Sequence, residues 1–393
     1  MNVPKLRFKD NNDNDYPNWV NSTIGKSGYF YYGKSAPKWS ITDTATTPCV
    51  RYGELYTTHN IIVKKIYSYS NIPKENLKFS TGNEVLVPRV GEEPLDFCKC
   101  CYLPFKDVAI GEMISVYNTK NNPLFISYMF NGTMKYKFAR LVEGGNVSNL
   151  YYSYLENISI NLPCLEEQKK IANFLSTVDK KITNLENTIT SLENQKEGLL
   201  QQIFSQKLRF KDKNGNNYPN WEKKKLGDIG SFSRGGNLSK SDLSKKGTSC
   251  ILYGELYTYY NEFATEIKSK TLNTTNLVLS KKYDVLLPLS GETAEDISTC
   301  TCIFFDDIAL GSDLLIFRSS FFDGRFMSLL LKYKYKYKIA QIAQGKSIVH
   351  ISEKNIKNIN IKIPCIEEQQ NIADFILIFT KKLENQKAQL EHW

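Results

Sequence analysis

Apolar residues recur at alternating spacings of four and three through Ile171, Leu175, Val178, Ile182, Leu185, Ile189, Leu192, Leu199 and Ile203, with Lys196 the one polar residue in the series. A period of 3.5 residues draws a narrow stripe along one side of a helix, so the segment predicts a coiled-coil helix of more than four heptads. Ile372, Ile376, Phe379, Leu383 and Leu390 take the same phase near the end of the chain, with Gln386 interrupting. This second helix is the shorter, and the chain stops at Trp393. A long stripe needs a partner stripe, and the nearest is the other helix running the opposite way. The alternative, each helix packed only on its own domain, leaves the longer stripe unmatched.

Ahead of each helix the pattern changes to short segments rich in Val, Ile, Tyr and Thr and punctuated by glycine, which predict strands. Asn83 to Glu93 (NEVLVPRVGEE) aligns with Tyr283 to Thr293 (YDVLLPLSGET) as a strand followed by a glycine turn, and Asp107 to Tyr117 aligns with Asp307 to Phe317 as a strand pair broken at glycine. Phe125 to Gly145 and Phe326 to Lys346 carry apolar spacing that suits a helix. On that helix Lys334 and Lys338 share a face, as do Tyr333 and Tyr337. A glycine loop follows in each case, then an apolar strand ending at Pro163 or Pro364.

These parallels are part of a duplication. KLRFKD with a following YPNW occurs at Lys5 to Trp19 and at Lys207 to Trp221, and YGELYT at Tyr52 to Thr57 and at Tyr253 to Thr258. A Pro-Cys-apolar-Glu-Glu-Gln block opens each long helix, at Pro163 and at Pro364. A unit of about 200 residues is too long for a solenoid repeat. The expected fold is therefore α+β: two tandem mixed α/β domains, 1–163 and 206–364, with helical regions at 164–205 and 365–393 that pair as an antiparallel coiled coil. The two domain-plus-helix units are then related by a pseudo-two-fold axis, one domain at each end of a rod.

The net charge of +10 is compatible with a polyanionic partner. No apolar stretch reaches the roughly 18 residues of a membrane span and no secretory leader is evident, so the expected location is cytoplasmic, without a membrane partner. The cysteines are matched between copies, Cys98 and Cys100 with Cys300 and Cys302, Cys49 with Cys250, Cys164 with Cys365, leaving Cys101 alone. Their spacing fits strands with small side chains facing a core. With the cysteines read as core-facing and only three histidines in the chain, no metal site is expected.

At the blocks PCLEEQKKIA (Pro163 to Ala172) and PCIEEQQNIA (Pro364 to Ala373), each at the junction of a mixed domain and a coiled-coil helix, the chain resembles the DNA specificity subunit of type I restriction-modification systems. The resemblance covers nearly the whole chain. It implies that the two domains are target-recognition domains reading double-stranded DNA as a bipartite, asymmetric target. It also implies a non-catalytic chain, which directs adenine methylation or cleavage by two modification subunits and by restriction subunits. S-adenosylmethionine, ATP and Mg would act in those partners, with no cofactor here. At ~1.5 Å per residue a helix of roughly 40 residues is about 60 Å long and one of ~29 about 44 Å, which places two readers about 13 to 18 base pairs apart. The alternative is a coiled-coil adaptor whose twin domains bind proteins or peptides.

Residues that suit phosphate or base-edge contacts lie in basic, glycine-linked segments: Lys26, Tyr31, Tyr32, Lys34 and Lys38 in the first copy, Arg234, Lys240, Lys245 and Lys246 in the second. The glycine loops add Asn146 and Ser148, and Lys346 and Ser347. Arg51, Tyr52 and Tyr253 sit in or beside YGELYT, which reads as either a scaffold strand or a common DNA contact. The helix-opening residues Glu166, Glu167, Gln168, Glu367, Glu368 and Gln369 are expected to face outward and dock the modification subunits.

Overall fold

Strand Glu84–Pro88 is buried along its length, and its alternating side chains go to two different cores. Val85 and Val87 join one cluster and Leu86 joins another, as a period of two requires. A computed structural model describes residues 4, 6–145, 147–345 and 348–393. Its contacts divide the chain into two units, Met1–Ile182 and Thr183–Trp393.

In the first unit a four-stranded antiparallel sheet has the order Gly28–Tyr32, Ile114–Thr119, Glu84–Pro88, Cys101–Leu103. A second sheet has the order Ser68–Ser70, Thr47–Val50, Lys106–Ile110, Phe79–Thr81, with Thr47–Val50 and Lys106–Ile110 parallel. Leu86, Leu103, Ile110, Ile114 and Val116 belong to one cluster of this region. On the other face of the first sheet Val85, Val87 and Tyr117 pack with Phe125, Ile126, Phe130 and Phe138 of helices Pro123–Asn131 and Lys135–Ala139, and with Ala172 of the first long helix. Each such large apolar side chain contributes about 1.5–3 kcal/mol on burial.

The second unit repeats the plan. Its first sheet has the order Ser231–Arg234, Leu314–Arg318, Val285–Pro288, Thr301–Ile303, Phe263–Ala264, and Val285 and Leu287 again part from Leu286 between two clusters. The helix expected at 326–346 is present as Gly324–Leu329 and Lys336–Gln341, but a π-helical turn, Leu330–Lys334, lies between them. That turn disrupts the i, i+4 phase expected for Tyr333 and Tyr337: Tyr333 donates to Glu262 (3.1 Å), while Tyr337 is 77% exposed.

Each domain closes where its long helix begins. Val20–Thr23 pairs antiparallel with Ser159–Leu162, and Glu222–Lys225 with Asn360–Ile363. The first long helix runs Leu165–Phe204 and the second Ile366–Glu391. Within the second unit they pair in opposite directions: Leu200, Ile203 and Phe204 share a cluster with Ile372, Ala373 and Ile376, and Lys387 forms an ion pair with Glu193 at 2.7 Å. The seam positions Leu185, Ile189 and Leu192 are buried as the stripe predicts. Lys196, the polar interruption, is buried too, and its ammonium meets the Glu262 carboxylate.

The sequence reading needs correction at YGELYT, which is helical: Tyr52–Thr57 in one unit and Glu255–Thr258 in the other. Glu54 accepts from the Arg51 amide (2.7 Å) and the Ser68 hydroxyl (2.7 Å); Glu255 accepts from the Leu252 amide (2.7 Å) and the Ser269 hydroxyl. The shared glutamate caps its own helix and ties it to a strand, which gives the block a scaffold role.

Candidate nucleic-acid interface

The repeated amino-terminal block forms a clasp in each unit. Arg7 donates through Nε (3.0 Å) and Nη2 (2.7 Å) to the two oxygens of Glu167, and Arg209 does the same to Glu368 (3.1 and 2.7 Å). Both carboxylates are fully buried. Hydrogen bonding to the partner glutamate raises each guanidinium above its ordinary value. Asp10 accepts the amides of Asn12 and Asn14 (2.8 Å each) and Asp212 those of Asn214 and Asn216 (2.8 Å each), which lowers both carboxyls and holds the turn of the block. Phe8 against Phe174 and Phe210 against Phe375 complete the attachment, with ring centroids 5.6 and 5.5 Å apart.

This clasp corrects the expected docking residues. Glu167 and Glu368 face inward, and so do the buried Gln168 and Gln369. Gln168 donates to Pro163 O and accepts from the Asn122 amide (both 2.9 Å), and Gln369 donates to Pro364 O (2.9 Å) and accepts from the Asp323 amide (3.0 Å). Of the six, Glu166 and Glu367 are exposed. Further along the same two helices Phe174 and Ile378 are 54% and 65% exposed.

The basic segment of the first copy borders a cleft of about 330 Å³, lined by Ser35, Lys38, Arg51, Tyr52 and Glu112 among others. Ser35 and Ala36 both hold φ near +60°, a conformation uncommon for residues with a side chain, and Ser35 O accepts the Glu112 amide (3.0 Å). The loop runs so close to its neighbour that a Cβ on Gly33 would lie 2.0 Å from Gly111 O. The second unit has the same approach, 1.9 Å between such a Cβ on Gly235 and Gly311 O.

The other candidates are distributed unevenly. Lys26, Lys34, Lys38, Arg234, Lys240, Lys245 and Lys246 are exposed. Lys34 donates to Glu75 O at 3.3 Å. Tyr31 and Tyr253 are partly buried against apolar clusters, and burial raises the Tyr31 hydroxyl strongly. Ser148 does not fit its expected role: it is buried on a strand paired with Gly91 and donates to Gly145 O (3.3 Å). Asn146, Lys346 and Ser347 lie outside the described residues.

Three features escaped the sequence reading. Trp39, next to Lys38, is 72% exposed. Arg89 stacks over Tyr32, 4.3 Å from guanidinium carbon to ring centroid, with Tyr151 at 5.8 Å. In the second unit Ser290 Oγ lies 2.9 Å from His350 Nδ1 and donates to Asp313 (3.0 Å). There the carboxylate meets the hydroxyl and not the imidazole, unlike a nucleophile–base–orienter relay. Seven of the nine cysteines are buried, and desolvation pushes Cys49 and Cys300 each up to about 12, far from a reactive thiolate. Among the described residues no cluster of three or more His, Cys, Asp or Glu side chains could hold a metal ion, and no helix is long and apolar enough to cross a membrane.

The model of the type I restriction modification DNA specificity domain matches this chain twice, over residues 12–194 and 218–392. The chain is 25% identical over 307 residues to the type I restriction enzyme MjaVIII specificity subunit of Methanocaldococcus jannaschii, a match covering 74% of this chain and 71% of that protein. A putative type I restriction enzyme MjaX specificity subunit of the same organism is 27% identical over 270 residues, 65% of this chain and 60% of that one. Among solved structures, the type I restriction-modification S subunit from M. genitalium superposes with a TM-score of 0.63 at 17% identity, covering 99% of this chain and 95% of that one. A chain from a structural study of complex assembly and conformational transition in a type I system gives 0.50 at 15% identity, covering 96% and 94%. At these identities the structural likeness speaks for the fold.

Proposed function

Because the chain belongs to the family of type I restriction-modification DNA specificity subunits, non-catalytic chains that recognise DNA, we propose that it reads a bipartite, asymmetric target and directs adenine methylation or cleavage by partner subunits. The observation that carries this reading is the conjunction of one scaffold, built twice, with different side chains at matched backbone positions. Arg51 answers Leu252 and Tyr32 answers Arg234 on closely matching backbone hydrogen bonds. Two readers of one architecture and different surfaces recognise two different short sequences, since base identity is read by side chains at groove edges while phosphate contacts set affinity and register.

The exposed lysines of the two units, Lys26, Lys34 and Lys38 with Lys240, Lys245 and Lys246, supply the phosphate contacts in this account. Lys38 beside the exposed Trp39 offers a cation and a flat apolar face together. Two modification subunits dock on the helix faces around Glu166 with Phe174 and Glu367 with Ile378, and restriction subunits join them. The partners bring S-adenosylmethionine for methylation, and ATP and Mg for cleavage.

The chain assembled with its modification subunits is expected to retain duplex DNA in a salt-dependent manner. With six phosphate contacts, affinity falls about 10³-fold between 50 and 200 mM salt, read by filter retention or fluorescence anisotropy. DNA retention that is absent, or indifferent to salt, would count against the reading.

A further inference from the structure

The chain has eight arginines, and the structure sorts them into two groups. Arg7, Arg209, Arg318 and Arg325 are ion-paired with Glu167, Glu368, Asp284, and Asp323 with Asp374. These four hold the fold together. Among the described residues Arg51, Arg89, Arg140 and Arg234 have no carboxylate within ion-pair distance.

Three of the unpaired four occupy positions where the two units share a backbone and differ in side chain. The Gly111 amide donates to Val50 O and the Gly311 amide to Ile251 O, each at 2.9 Å, so Arg51 and Leu252 are equivalent. Leu150 donates to Arg89 O (2.9 Å) and Ile351 to Leu289 O (3.0 Å), so Arg89 and Leu289 are equivalent. The amides of Gly33 and Gly235 donate to Ile114 O and Leu314 O (3.0 Å each), so Tyr32 answers Arg234. Leu252 and Leu289 are buried, which shows that the same backbone is filled adequately by an apolar side chain. Packing therefore does not call for arginine at 51 or 89.

Arg89 is the most telling of the three. Its guanidinium is stacked on Tyr32 and flanked by Tyr151, and its buried Nε finds no acceptor. A cation so placed is oriented by aromatic faces and left with unused donors, which differs from the bidentate carboxylate pairing of Arg7 and Arg209. It adjoins Val90, which lines the cleft with Arg51 and Lys38, and its amide donates to the lining residue Met113 (3.1 Å). In the second unit the guanidinium has moved to the neighbouring position, Arg234, and leucine stands where Arg89 would be.

We propose that Arg51 and Arg89 in the first unit and Arg234 in the second are base-reading residues, each fork reading a guanine through O6 and N7, and that their relocation is what makes the two half-sites differ. This rests on the bipartite reading above. The guanidinium fork matches the two acceptors that guanine alone presents side by side in the major groove. A lysine in its place keeps the charge and loses the fork.

The test is the methylated motif of cells expressing the chain with its modification subunits, read by methylome sequencing for the native protein and for Arg89→Leu, Arg89→Lys, Arg51→Leu and Arg234→Tyr. Each first-unit variant is expected to lower the preference for guanine at one position of one half-site by roughly ten-fold or more, leaving the other half-site and the gap unchanged. Arg234→Tyr is expected to relax the other half-site only. Should Arg89→Leu abolish methylation outright, Arg51→Leu decides for the first unit, because it installs the residue that the second unit carries on the same backbone. An unchanged motif in these variants overturns the inference. So does a uniform loss of methylation across sequences in Arg51→Leu or Arg234→Tyr, the signature of a phosphate contact, and so does an intact motif in Arg89→Lys. A native motif that is bipartite while the variants leave it intact sinks this inference alone; a native motif that is continuous sinks the reading beneath it.

Discussion

Replacing Glu262 by leucine is expected to destabilise the second unit by about 3–5 kcal/mol, seen as a lower urea midpoint at unchanged slope. Glu262 is 1% exposed and is the acceptor at the centre of a polar cluster: Lys196 from the first long helix, Tyr333 (3.1 Å), Thr380 from the second long helix (3.3 Å), and Lys332 with its ammonium 4.0 Å away. Removing the carboxylate leaves the buried Lys196 ammonium without its counter-ion and beside a second cation, Lys332, which costs far more than the pair itself contributes. The double variant Lys196→Met with Glu262→Leu is accordingly expected to recover most of the loss. Burial by itself raises the Glu262 carboxyl, but Lys196 and Lys332 outweigh it and the net shift is downward from 4.5. A depressed carboxyl stabilises the fold above its unfolded value and loses that contribution as pH falls through its folded one. The native chain should therefore weaken below about pH 4.5 in a way the double variant does not. Lys332 shifts downward because its own desolvation exceeds the pull of Glu262. Its ammonium stands 4.0 Å from the carboxylate, whereas that of Lys196 is in direct contact, so Lys196 is the closer partner.

Arg209→Ala is the second large effect, with Arg7→Ala its equivalent in the first unit. Each leaves a carboxylate, Glu368 or Glu167, at zero exposure without its bidentate partner. The expected cost is about 3–5 kcal/mol, since an uncompensated buried charge and not a surface salt bridge is created. Arg209 also donates to Tyr218 O (3.2 Å) and Pro219 O (2.7 Å), so its loss frees the block it belongs to. Limited proteolysis should then cut between residues 207 and 221 in Arg209→Ala and spare that stretch in the native chain. Arg209→Lys should recover only part, because one ammonium cannot replace Nε and Nη2 together. Native-like stability of Arg209→Ala would show that the clasp is incidental.

What the residues made legible, and what they hid, follows from the range of the interactions involved. The long helices were readable because a heptad stripe is a local pattern, and Glu84–Pro88 because a short run of β-branched and apolar residues ends at a glycine turn. The helix at YGELYT is not legible because six residues are too few to display a helical period; it depends on Glu54 bonding the Arg51 amide and reaching Ser68 on a strand 14 residues away. The Glu-Glu-Gln blocks cannot face outward as a whole, because three successive helical residues span too wide an arc to share one face. The partner that draws Glu167 inward is Arg7, 160 residues upstream, beyond any local pattern. A signal was nonetheless available: the arginine block and the glutamate block both occur twice at nearly the same offset. Arg89 was hidden in a segment whose only visible message was strand and turn, and its meaning emerges from Tyr32 and Tyr151 packed around it.

The central claim, that this chain is the address of a DNA-modifying complex and reads two unlike half-sites, is tested most directly by methylome sequencing of cells carrying it with its modification subunits. The account predicts methylated adenines in a motif of two different short sequences separated by an unspecified gap of constant length. A continuous motif, or a palindromic one, would contradict it.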